Sequence, residues 1–428
     1  MIMAVLFITL GILLILNVPI AVCLGGASIA AMLAGGMSSQ LVVLAQKLFT
    51  SMDSFPFMAV PFFMLSGEIM TRGGISKRLI DFANSLVGWM PGGLGIVTVV
   101  SCAFFGAISG SNAATVAAIG GIMIPAMVKA GYPKDYATAV AASAGTLGVV
   151  VPPSTPMITY GVVSGVSIAA LFAAGIIPAV IMVASMSIVL IFQSKKHSYP
   201  TQPFSLKELA RSTYKAIGAI LMPVLILGSI YRGAATPTEA ASISVVYALI
   251  VSMFIYKELK LSDLKPIVVS AGKSTAVVLF VIATSGAFSW IMVTQNMPTT
   301  IANTILSISN NPILIALFIN VLLLILGVFL ETNAIILMVA PILIPIGKAI
   351  GLDPLTLGII MTVNTSVGML TPPMALNIII AAGISKVSIE KVAVKLVPLF
   401  IVLVIDVLII TYVPELIEFL PMKLGLKF

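Results

Sequence analysis

Two short polar segments interrupt strongly apolar sequence, and their residue types suit the binding of an anion together with a small cation. The first segment contains Ser109, Ser111 and Asn112, and the second contains Thr332 and Asn333. If each lies at a break between two half-helices, free backbone amides face the site from one half-helix and free carbonyls from the other. The amides and the positive end of the helix dipole suit a carboxylate, whereas carbonyl, hydroxyl and amide oxygens suit Na+.

Both segments belong to a pattern that occurs twice in the chain. Nine residues of the first half have counterparts in the same order in the second half. The residues of the first half are Gly106, Ser111, Asn112, Ala113, Pro125, Gly131, Gly148, Pro152 and Pro153. Their counterparts, in the same order, are Gly327, Thr332, Asn333, Ala334, Pro345, Gly351, Gly368, Pro372 and Pro373. The offset changes from 221 to 220 between Ala113 and Pro125. Recurrence of this regularity indicates an internal duplication.

The duplicated pattern defines two candidate ligand sets. Each polar tip is expected to face a break in a following helix, where glycine allows close approach of the backbone and a proline pair ends the first half-helix. The residues expected to contact the anion are Ser109, Ser111, Asn112, Thr155, Thr332 and Asn333. The residues expected to bind two or more Na+ ions are Ser111, Asn112, Gly145, Gly148, Thr332, Asn333, Thr365 and Gly368.

The elements that carry these residues are predicted to be membrane helices. Apolar residues make up 60% of the 428 residues, charged residues only 8%, and the mean hydropathy is +1.20. Soluble domains contain about 25% charged residues, so the composition predicts an all-α polytopic membrane protein with roughly a dozen spanning or half-spanning helices. The opening helix from Ile2 to Leu16 is expected to be retained and to run on through Asn17, Val18 and Pro19. Breaks in such helices are tolerated in lipid only where they line a cavity or a site.

The net charge of +8 reflects membrane topology and not nucleic-acid binding, because the cations lie in loops between apolar runs. Of the 22 cations, 16 fall on one predicted face, in the loops at 72–91, 129–135, 195–215, 257–265 and 386–395. The positive-inside rule makes that face cytoplasmic.

A walk along the chain then predicts two repeats joined by a linker. The first repeat covers residues 1–194, with scaffold helices over 1–72, a re-entrant hairpin over 92–129, a broken helix over 135–163 and a full span over 168–192. A cytoplasmic linker covers 195–215, and its tail from Leu206 to Tyr214 is expected to form a helix on the membrane surface. The second repeat covers 216–428, with scaffold helices over 216–295, a hairpin over 312–350, a broken helix over 354–382 and a last helix over 396–413.

The two repeats are predicted to have opposite topology. The first hairpin begins and ends beside cytoplasmic cations, whereas the connection from Thr294 to Pro312 carries no charge and suits the outer side. One hairpin therefore enters from each side of the membrane, so that the two tips meet near the midplane.

At this point the sequence resembles a known family, the large membrane subunit of tripartite ATP-independent periplasmic (TRAP) transporters. The motifs that carry the resemblance are 16–21 (LNVPIA), 61–70 (PFFMLSGEIM), 236–241 (TPTEAA), 351–354 (GLDP) and Gly368 followed by 371–373 (TPP). The resemblance implies an elevator-type, Na+-driven importer of organic acids in the bacterial inner membrane, of the sialic acid or C4-dicarboxylate type. It also implies two partners, a small membrane subunit and a periplasmic substrate-binding protein. One departure is the segment Met374–Asn377, where the family pattern has a glycine soon after the proline pair.

Several features admit a structural explanation. Glu68 has two interpretations. As an intramembrane acid it is a candidate functional residue, or it forms a structural ion pair with Arg72. Glu331 either serves the gate or holds the second tip. The segment from Thr236 to Glu239 has the spacing of a capping box, which we favour. The pairs Gly106/Gly110 and Gly161/Gly165 match the small-residue packing pattern of membrane helices.

Other function classes find little support. The segment 272–275 (GKST) imitates a phosphate-binding loop, but Ile267 stands where its first glycine is required, so ATP binding is rejected. No Cys/His cluster or pair of catalytic carboxylates indicates an enzyme. The remaining alternative to a binding-protein-dependent importer is an autonomous secondary anion transporter, or an anion channel of related architecture, that needs no partner.

Overall fold

The computed structural model describes residues 2–16, 18–194, 199, 201–309, 311–372 and 375–428. Within these residues the ordered elements are all helices, and nine of them are long and apolar enough to cross a membrane, or ten if a bent pair counts as one span. The prediction of an all-helical polytopic membrane protein is therefore confirmed. The following residues named in the sequence analysis lie outside the described part: Asn17, Pro373 and Met374.

The chain opens with a helical hairpin. The first five helices are α1 (Ile2–Ile15), α2 (Ile20–Ala34), α3 (Leu41–Thr50), α4 (Ala59–Arg72) and α5 (Ile75–Val87). A Cβ atom placed on Gly35 would lie 2.6 Å from Cδ1 of Ile2, so the end of α2 meets the start of α1. The expected continuous first helix was wrong, because Pro19 excludes the residue before it from helical geometry and begins a new helix. The bent pair follows, with 55° between the segments Ser38–Thr50 and Phe55–Arg72.

Helix α5 occupies part of what was expected to be a cytoplasmic loop over 72–91. Its buried residues Ile75, Leu79, Ile80 and Ala83 recur at helical spacing, so one apolar stripe of α5 packs inward. The cations Lys77 and Arg78 lie on the same helix.

The first hairpin and broken helix follow as expected in outline. They comprise α6 (Gly93–Ser109), α7 (Asn112–Lys129), α8 (Lys134–Ala144), α9 (Leu147–Val150), α10 (Thr155–Ser164) and the long span α11 (Ile168–Ser194). The break expected at Gly145–Gly148 is present as a turn at Gly145 and Thr146, between α8 and α9, and a second irregular stretch lies at 151–154. Gly148 itself lies within the short helix α9.

The middle of the chain differs most from expectation. It contains α12 (Leu206–Tyr231), α13 (Pro237–Ile250), α14 (Leu264–Thr294) and α15 (Met297–Ile308). The segment Leu206–Tyr214 is not a separate surface helix but the first part of α12, so the predicted boundary at 215 falls inside a continuous helix. Helix α15 fills the connection that was read as an uncharged loop.

The second hairpin and broken helix complete the fold. They comprise α16 (Pro312–Phe329), α17 (Thr332–Ala349), α18 (Pro354–Gly368) and α19 (Leu376–Ser385), followed by α20 (Ile389–Tyr412) and α21 (Glu415–Lys423). Here too the irregular stretch comes after the glycine, since Thr365–Gly368 forms the last turn of α18. The halves of the chain interlock, because α10 packs on α17, α19 on α7, and α20 on α8.

Two predicted local contacts are confirmed. Thr236 and Glu239 form the expected capping box, in which the Thr236 N–H donates to the Glu239 carboxylate at 2.8 Å. Glu68 forms an ion pair with Arg72 at 3.0 Å, which supports the structural interpretation of that acid.

Candidate functional site

The first tip is built from the end of α6 and the start of α7. Gly110 has φ +58°, a left-handed conformation that glycine adopts without strain, and a Cβ there would lie 3.0 Å from the Pro153 carbonyl oxygen. Ser111 then caps α7, its hydroxyl accepting from the Ala114 N–H at 3.5 Å. The sharp turn brings the N-terminus of α7 against the irregular stretch after α9.

Asn112 joins the two halves of the molecule. Its side chain is 2% exposed, and its Nδ2 donates to Ser366 Oγ on α18 at 2.8 Å. Its Oδ1 accepts from the Val149 N–H at 3.1 Å. Ser366 Oγ in turn donates to the Thr146 carbonyl at 2.9 Å, so the first tip, the first broken helix and the second broken helix meet at one point.

Ser109 contributes to the same tip through a residue that the sequence analysis missed. Ser109 Oγ and Thr115 Oγ1 lie 2.9 Å apart, and Thr115 Oγ1 donates to the Ser111 carbonyl at 2.8 Å. Thr115 stands four residues after Ser111, one helical turn, and that spacing was the available signal.

The second tip is held by the carboxylate of Glu331. Its Oε1 accepts from Asn333 Nδ2 at 2.7 Å and its Oε2 from the Asn333 N–H at 3.2 Å, so Glu331 caps α17. This favours the interpretation that Glu331 holds the tip. The next residue, Thr332, is fully buried and accepts from Thr365 Oγ1 on α18 at 3.2 Å.

Helix α10 touches both tips within one turn. Thr155 Oγ1 donates to the Gly110 carbonyl at 3.1 Å, and Thr159 Oγ1 donates to Asn333 Oδ1 at 2.9 Å. Thr159 was not among the predicted site residues, although it lies one turn beyond Thr155 on the same helix. The two tips are therefore linked through α10 as well as through Asn112.

The sulfur of Met369 lies between the tips. It is 3.6 Å from Asn112 Nδ2 and 3.7 Å from Thr332 Oγ1. Thioethers are weak acceptors, so these contacts are easily exchanged for stronger ones. Met369 directly follows Gly368, the last residue of α18, and gave no other signal in the sequence.

Glycines at matched positions let the hairpins cross the broken helices closely. A Cβ on Gly106 would lie 2.9 Å from the Leu147 carbonyl oxygen, and one on Gly327 would lie 2.8 Å from the Thr365 carbonyl oxygen. These distances are too short for a side chain, so the packing interpretation of Gly106 is supported. Gly145 packs in the same way against Val116 of α7.

The predicted residues thus fall into one connected cluster with distinct local roles. Ser109, Ser111, Asn112 and Thr155 lie at the first tip, and Thr332, Thr365 and Asn333 lie at the second. Gly145, Gly148 and Gly368 provide close backbone approach: Gly148 packs against the Ser111 carbonyl, and a Cβ on Gly368 would lie 2.7 Å from Gly327 Cα. The assignment of these residues to an anion and to Na+ stays a prediction.

Apart from the Glu331 carboxylate at the second tip, the oxygens of the cluster belong to neutral groups. Among the described residues no group of three or more His, Cys, Asp or Glu side chains is placed to hold a metal ion. Hydroxyl and amide oxygens predominate instead, and one of them, Ser154 Oγ, is buried beside Gly110 without a hydrogen-bond partner. Buried polar atoms are usually satisfied, so this unpartnered hydroxyl is a candidate contact for a ligand atom.

Comparison with known proteins identifies a consistent set of relatives. Residues 7–416 match the family described as "Tripartite ATP-independent periplasmic transporter, DctM component". The chain is 42% identical to an isethionate TRAP transporter permease of Oleidesulfovibrio alaskensis, over 94% of this chain and 64% of that longer protein. It is 39% identical to a C4-dicarboxylate TRAP transporter large permease of Pseudomonas aeruginosa, over 90% of each, and 36% identical to a sialic acid TRAP transporter large permease of Vibrio cholerae, over 88% of each.

Solved structures agree on the fold. The Alcanivorax borkumensis YdaH transporter superposes with a TM-score of 0.64 at 14% identity, covering 88% of this chain and 89% of that one. The Neisseria gonorrhoeae MtrF structure gives 0.60 at 14% identity, covering 87% and 84%. At such low identity these matches speak for the fold alone.

Proposed function

The chain belongs to the DctM family of tripartite ATP-independent periplasmic transporter components, and from that membership we propose that it imports an organic acid anion together with Na+. As a TRAP transporter large permease it is a transporter and not an enzyme. We further propose that it acts in the bacterial inner membrane with a small membrane subunit and a periplasmic substrate-binding protein. The named substrates of the relatives, isethionate, C4-dicarboxylate and sialic acid, are all organic acids, which supports an organic acid anion here. Within that class we favour a sialic acid or a C4-dicarboxylate.

The observation that carries the proposal is the meeting of the two tips. Asn112 reaches Ser366 at 2.8 Å and Asn333 accepts from Thr159 at 2.9 Å, so each tip is bonded to the other half of the chain. A substrate that entered between the tips would replace these bonds with its own. Because the bonds are few and uncharged, exchanging them costs little compared with breaking buried ion pairs.

The proposed anion site uses the N-termini of the two hairpin helices. Helices α7 and α17 begin at the tips, and each directs the positive end of its dipole there. One N–H of α7 is held by the Ser111 hydroxyl and one of α17 by the Glu331 carboxylate, so an anion would compete with these caps. Each of the two helices contains 18 residues. Side-chain donors at the tips, Asn112 Nδ2 and the Thr155 hydroxyl, are available to orient a carboxylate or sulfonate.

The proposed Na+ positions lie behind the tips, where the first half of each broken helix ends. At the second position the Thr332 and Thr365 hydroxyls and the last carbonyls of α18 supply neutral oxygens. At the first position the corresponding oxygens come from the Ser111 carbonyl, the end of α8 and Ser154. Uncharged oxygens bind Na+ weakly enough for release on the other side, as a transport cycle requires.

We propose that the two hairpins and broken helices move together relative to the remaining helices, as in an elevator. In the described arrangement Asn112, Thr332 and Asn333 are each at most 2% exposed, so the site is closed. Each Na+ carried in excess over the anion charge would add about 2.3 kcal/mol per 100 mV of membrane potential to the driving force.

Uptake by proteoliposomes that contain the permease and the small subunit, with the binding protein outside, tests the proposal. We expect radiolabelled substrate to accumulate with an inward Na+ gradient and not with an equal K+ gradient. Asn112→Ala and Asn333→Ala should each abolish this uptake, whereas Asn303→Ala, on the exposed face of α15, should leave it unchanged.

Full activity of both tip variants would refute the site assignment, and full uptake without Na+ would refute the coupling. Full-rate uptake of free substrate by the purified chain alone would instead identify an autonomous anion transporter or channel.

A further inference from the structure

Helix α20 carries a buried acid that no part of the proposed site uses. Asp406 is 2% exposed and lies within an apolar membrane span, Ile389–Tyr412, six residues before its end. An ionised carboxylate in the hydrocarbon region is costly, and intramembrane acids are for that reason usually functional. Its surroundings decide which form the side chain takes.

Among the described residues no cation forms an ion pair with this carboxylate. The ion pairs among the described residues are Glu68–Arg72, Arg78–Glu258 and Glu208–Arg211. On α20 itself the nearest charged residue is Lys395, 11 positions earlier and therefore about 16 Å away along the helix axis.

The helices packed against α20 bring no charge to this depth either. Helices α11 and α16 have no charged residue in their whole length. The charged and titratable groups of the other neighbours stand at helix ends: Lys134, Asp135 and Tyr136 in the first turn of α8, Asp353 before α18, and Lys386 after α19. The remaining titratable groups of α20 are Glu390, Lys391 and Tyr412, also at its ends.

The geometry at Ser185 shows how a proton would be placed. Ser185 Oγ, on α11, lies 2.5 Å from Asp406 Oδ2 and 3.1 Å from the Met182 carbonyl oxygen. A hydroxyl has one hydrogen and cannot donate to both acceptors. If Asp406 carries a proton on Oδ2, it donates to Ser185 Oγ, and the serine hydroxyl donates onward to Met182. A neutral Asp406 is satisfied in this arrangement without any cation, whereas an ionised Asp406 keeps its full charge in apolar surroundings with the hydrogen bond from Ser185.

We propose that Asp406 is a proton-binding site within the membrane, protonated while α11 and α20 are packed together. The ligand is a proton taken from water. One O–H bond forms on the carboxyl group when the site loads, and the same bond breaks when the side chain meets water and ionises. Because Ser185 lies in the first half of the chain and Asp406 in the second, the acid–hydroxyl pair also joins the two halves. The proposal is independent of Na+ coupling and of the substrate.

Infrared difference spectroscopy of the purified full-length protein in lipid tests the protonation directly. At neutral pH we expect the carbonyl stretch of a protonated carboxylic acid, and we expect Asp406→Asn to remove it. Asp81→Asn, at an exposed carboxyl on α5, should leave the band intact. Dicyclohexylcarbodiimide, which reacts with protonated carboxyl groups in apolar surroundings, should label the α20 peptide of the wild type and not that of Asp406→Asn.

The substitution series separates a proton site from a merely structural polar contact. Asp406→Asn keeps a donor to Ser185, so its thermal stability should match that of the protonated wild type and lose any dependence on alkaline pH. Asp406→Leu and Ser185→Ala should both lower thermal stability. A carboxylic-acid band that persists in Asp406→Asn, together with no carbodiimide adduct on the wild-type α20 peptide, would overturn the proposal even if every variant folds.

Discussion

Thr159 offers the sharpest test of how the two tips are joined. Its hydroxyl donates to Asn333 Oδ1 at 2.9 Å and also lies 3.1 Å from the Thr155 carbonyl, and both Thr159 and Asn333 are buried. Thr159→Val keeps the shape of the side chain and leaves Asn333 Oδ1 without this donor. An unsatisfied buried acceptor costs about 1–3 kcal/mol, although hydrogen bonds between membrane helices average about 0.6 kcal/mol in double-mutant cycles. Because the hydroxyl has an alternative acceptor on its own helix, we expect a coupling of about 1 kcal/mol.

The assay is a double-mutant cycle on thermal stability in lipid nanodiscs, combining Thr159→Val with Asn333→Ala. The Thr159→Val change should destabilise the wild type more than it destabilises the Asn333→Ala background. Thr362→Val is the matched control, since Thr362 is equally buried and its hydroxyl bonds only to the Gly358 carbonyl of its own helix at 2.9 Å. Strict additivity of Thr159 and Asn333, or equal coupling for Thr362, would show that the tips are not joined through α10.

Three further predictions follow from local geometry. Gly148→Ala should abolish uptake, because the new Cβ would lie 2.7 Å from Thr115 Oγ1 and closer still to the Ser111 carbonyl. The control Gly121→Ala should retain uptake, because the space around Gly121 on α7 is open. Equal uptake by both variants would argue against close packing of the first hairpin on the broken helix. Ala375→Gly should raise the free energy of unfolding by about 1 kcal/mol and the melting temperature with it. The reason is that Ala375 has φ +30° and ψ +56°, a left-handed conformation that strains any residue with a Cβ. An unchanged or lower melting temperature would contradict this. Thr236→Val should lower the free energy of unfolding by about 1 kcal/mol, because the capping box is lost. Thr304→Val, at an exposed position on α15, is the neutral control. A loss of stability no larger than that of the control would show that the capping box does not stabilise α13.

The sequence predicted the features that depend on backbone chemistry. The composition and the length of the apolar runs indicate that the helices lie in a membrane. The repeated Gly and Pro residues place the hairpins within a few residues of α6–α7 and α16–α17. The polar residues at the tips were recognisable because polar side chains inside the membrane are energetically costly and are usually functional. Pro152 and Pro153 also marked an irregular stretch correctly, which begins after Val150, and the irregular stretch of the second broken helix begins directly after Gly368.

The partners of those residues could not be read from the sequence. Ser366 and Thr159 stand 254 and 174 positions from the residues they bond, and many hydroxyls of equal polarity lie elsewhere in the chain. Helix α5 was missed although its sequence contained a helical signal. Its cations led to the prediction of a loop, whereas its apolar residues at 75, 79, 80 and 83 recur at helical spacing. Charge density and helical periodicity are separate signals, and here they occupy the same residues.

The unequal tips have a physical explanation in which residue caps each helix. By the repeat offset Ser111 corresponds to Thr332, and Gly110 corresponds to Glu331. Ser111 is the cap of α7, so its hydroxyl is held by the Ala114 N–H. In the second hairpin the Glu331 carboxylate performs the capping, and α17 therefore begins one aligned residue earlier.

This one-residue difference frees the hydroxyl of Thr332 from capping and turns it to Thr365 on the broken helix. The first hairpin has no free hydroxyl at that place and instead uses Asn112, which reaches across to Ser366 and back to Val149. The two tips thus differ in backbone as well as in side chains: Gly110 is left-handed with φ +58°, whereas the aligned Glu331 is extended with φ −76°. This Gly-to-acid difference changes which side chain faces the centre. Two sites built on the same fold therefore offer different oxygens, a hydroxyl pair in one and an amide in the other, and we expect the ions that they bind to differ in affinity.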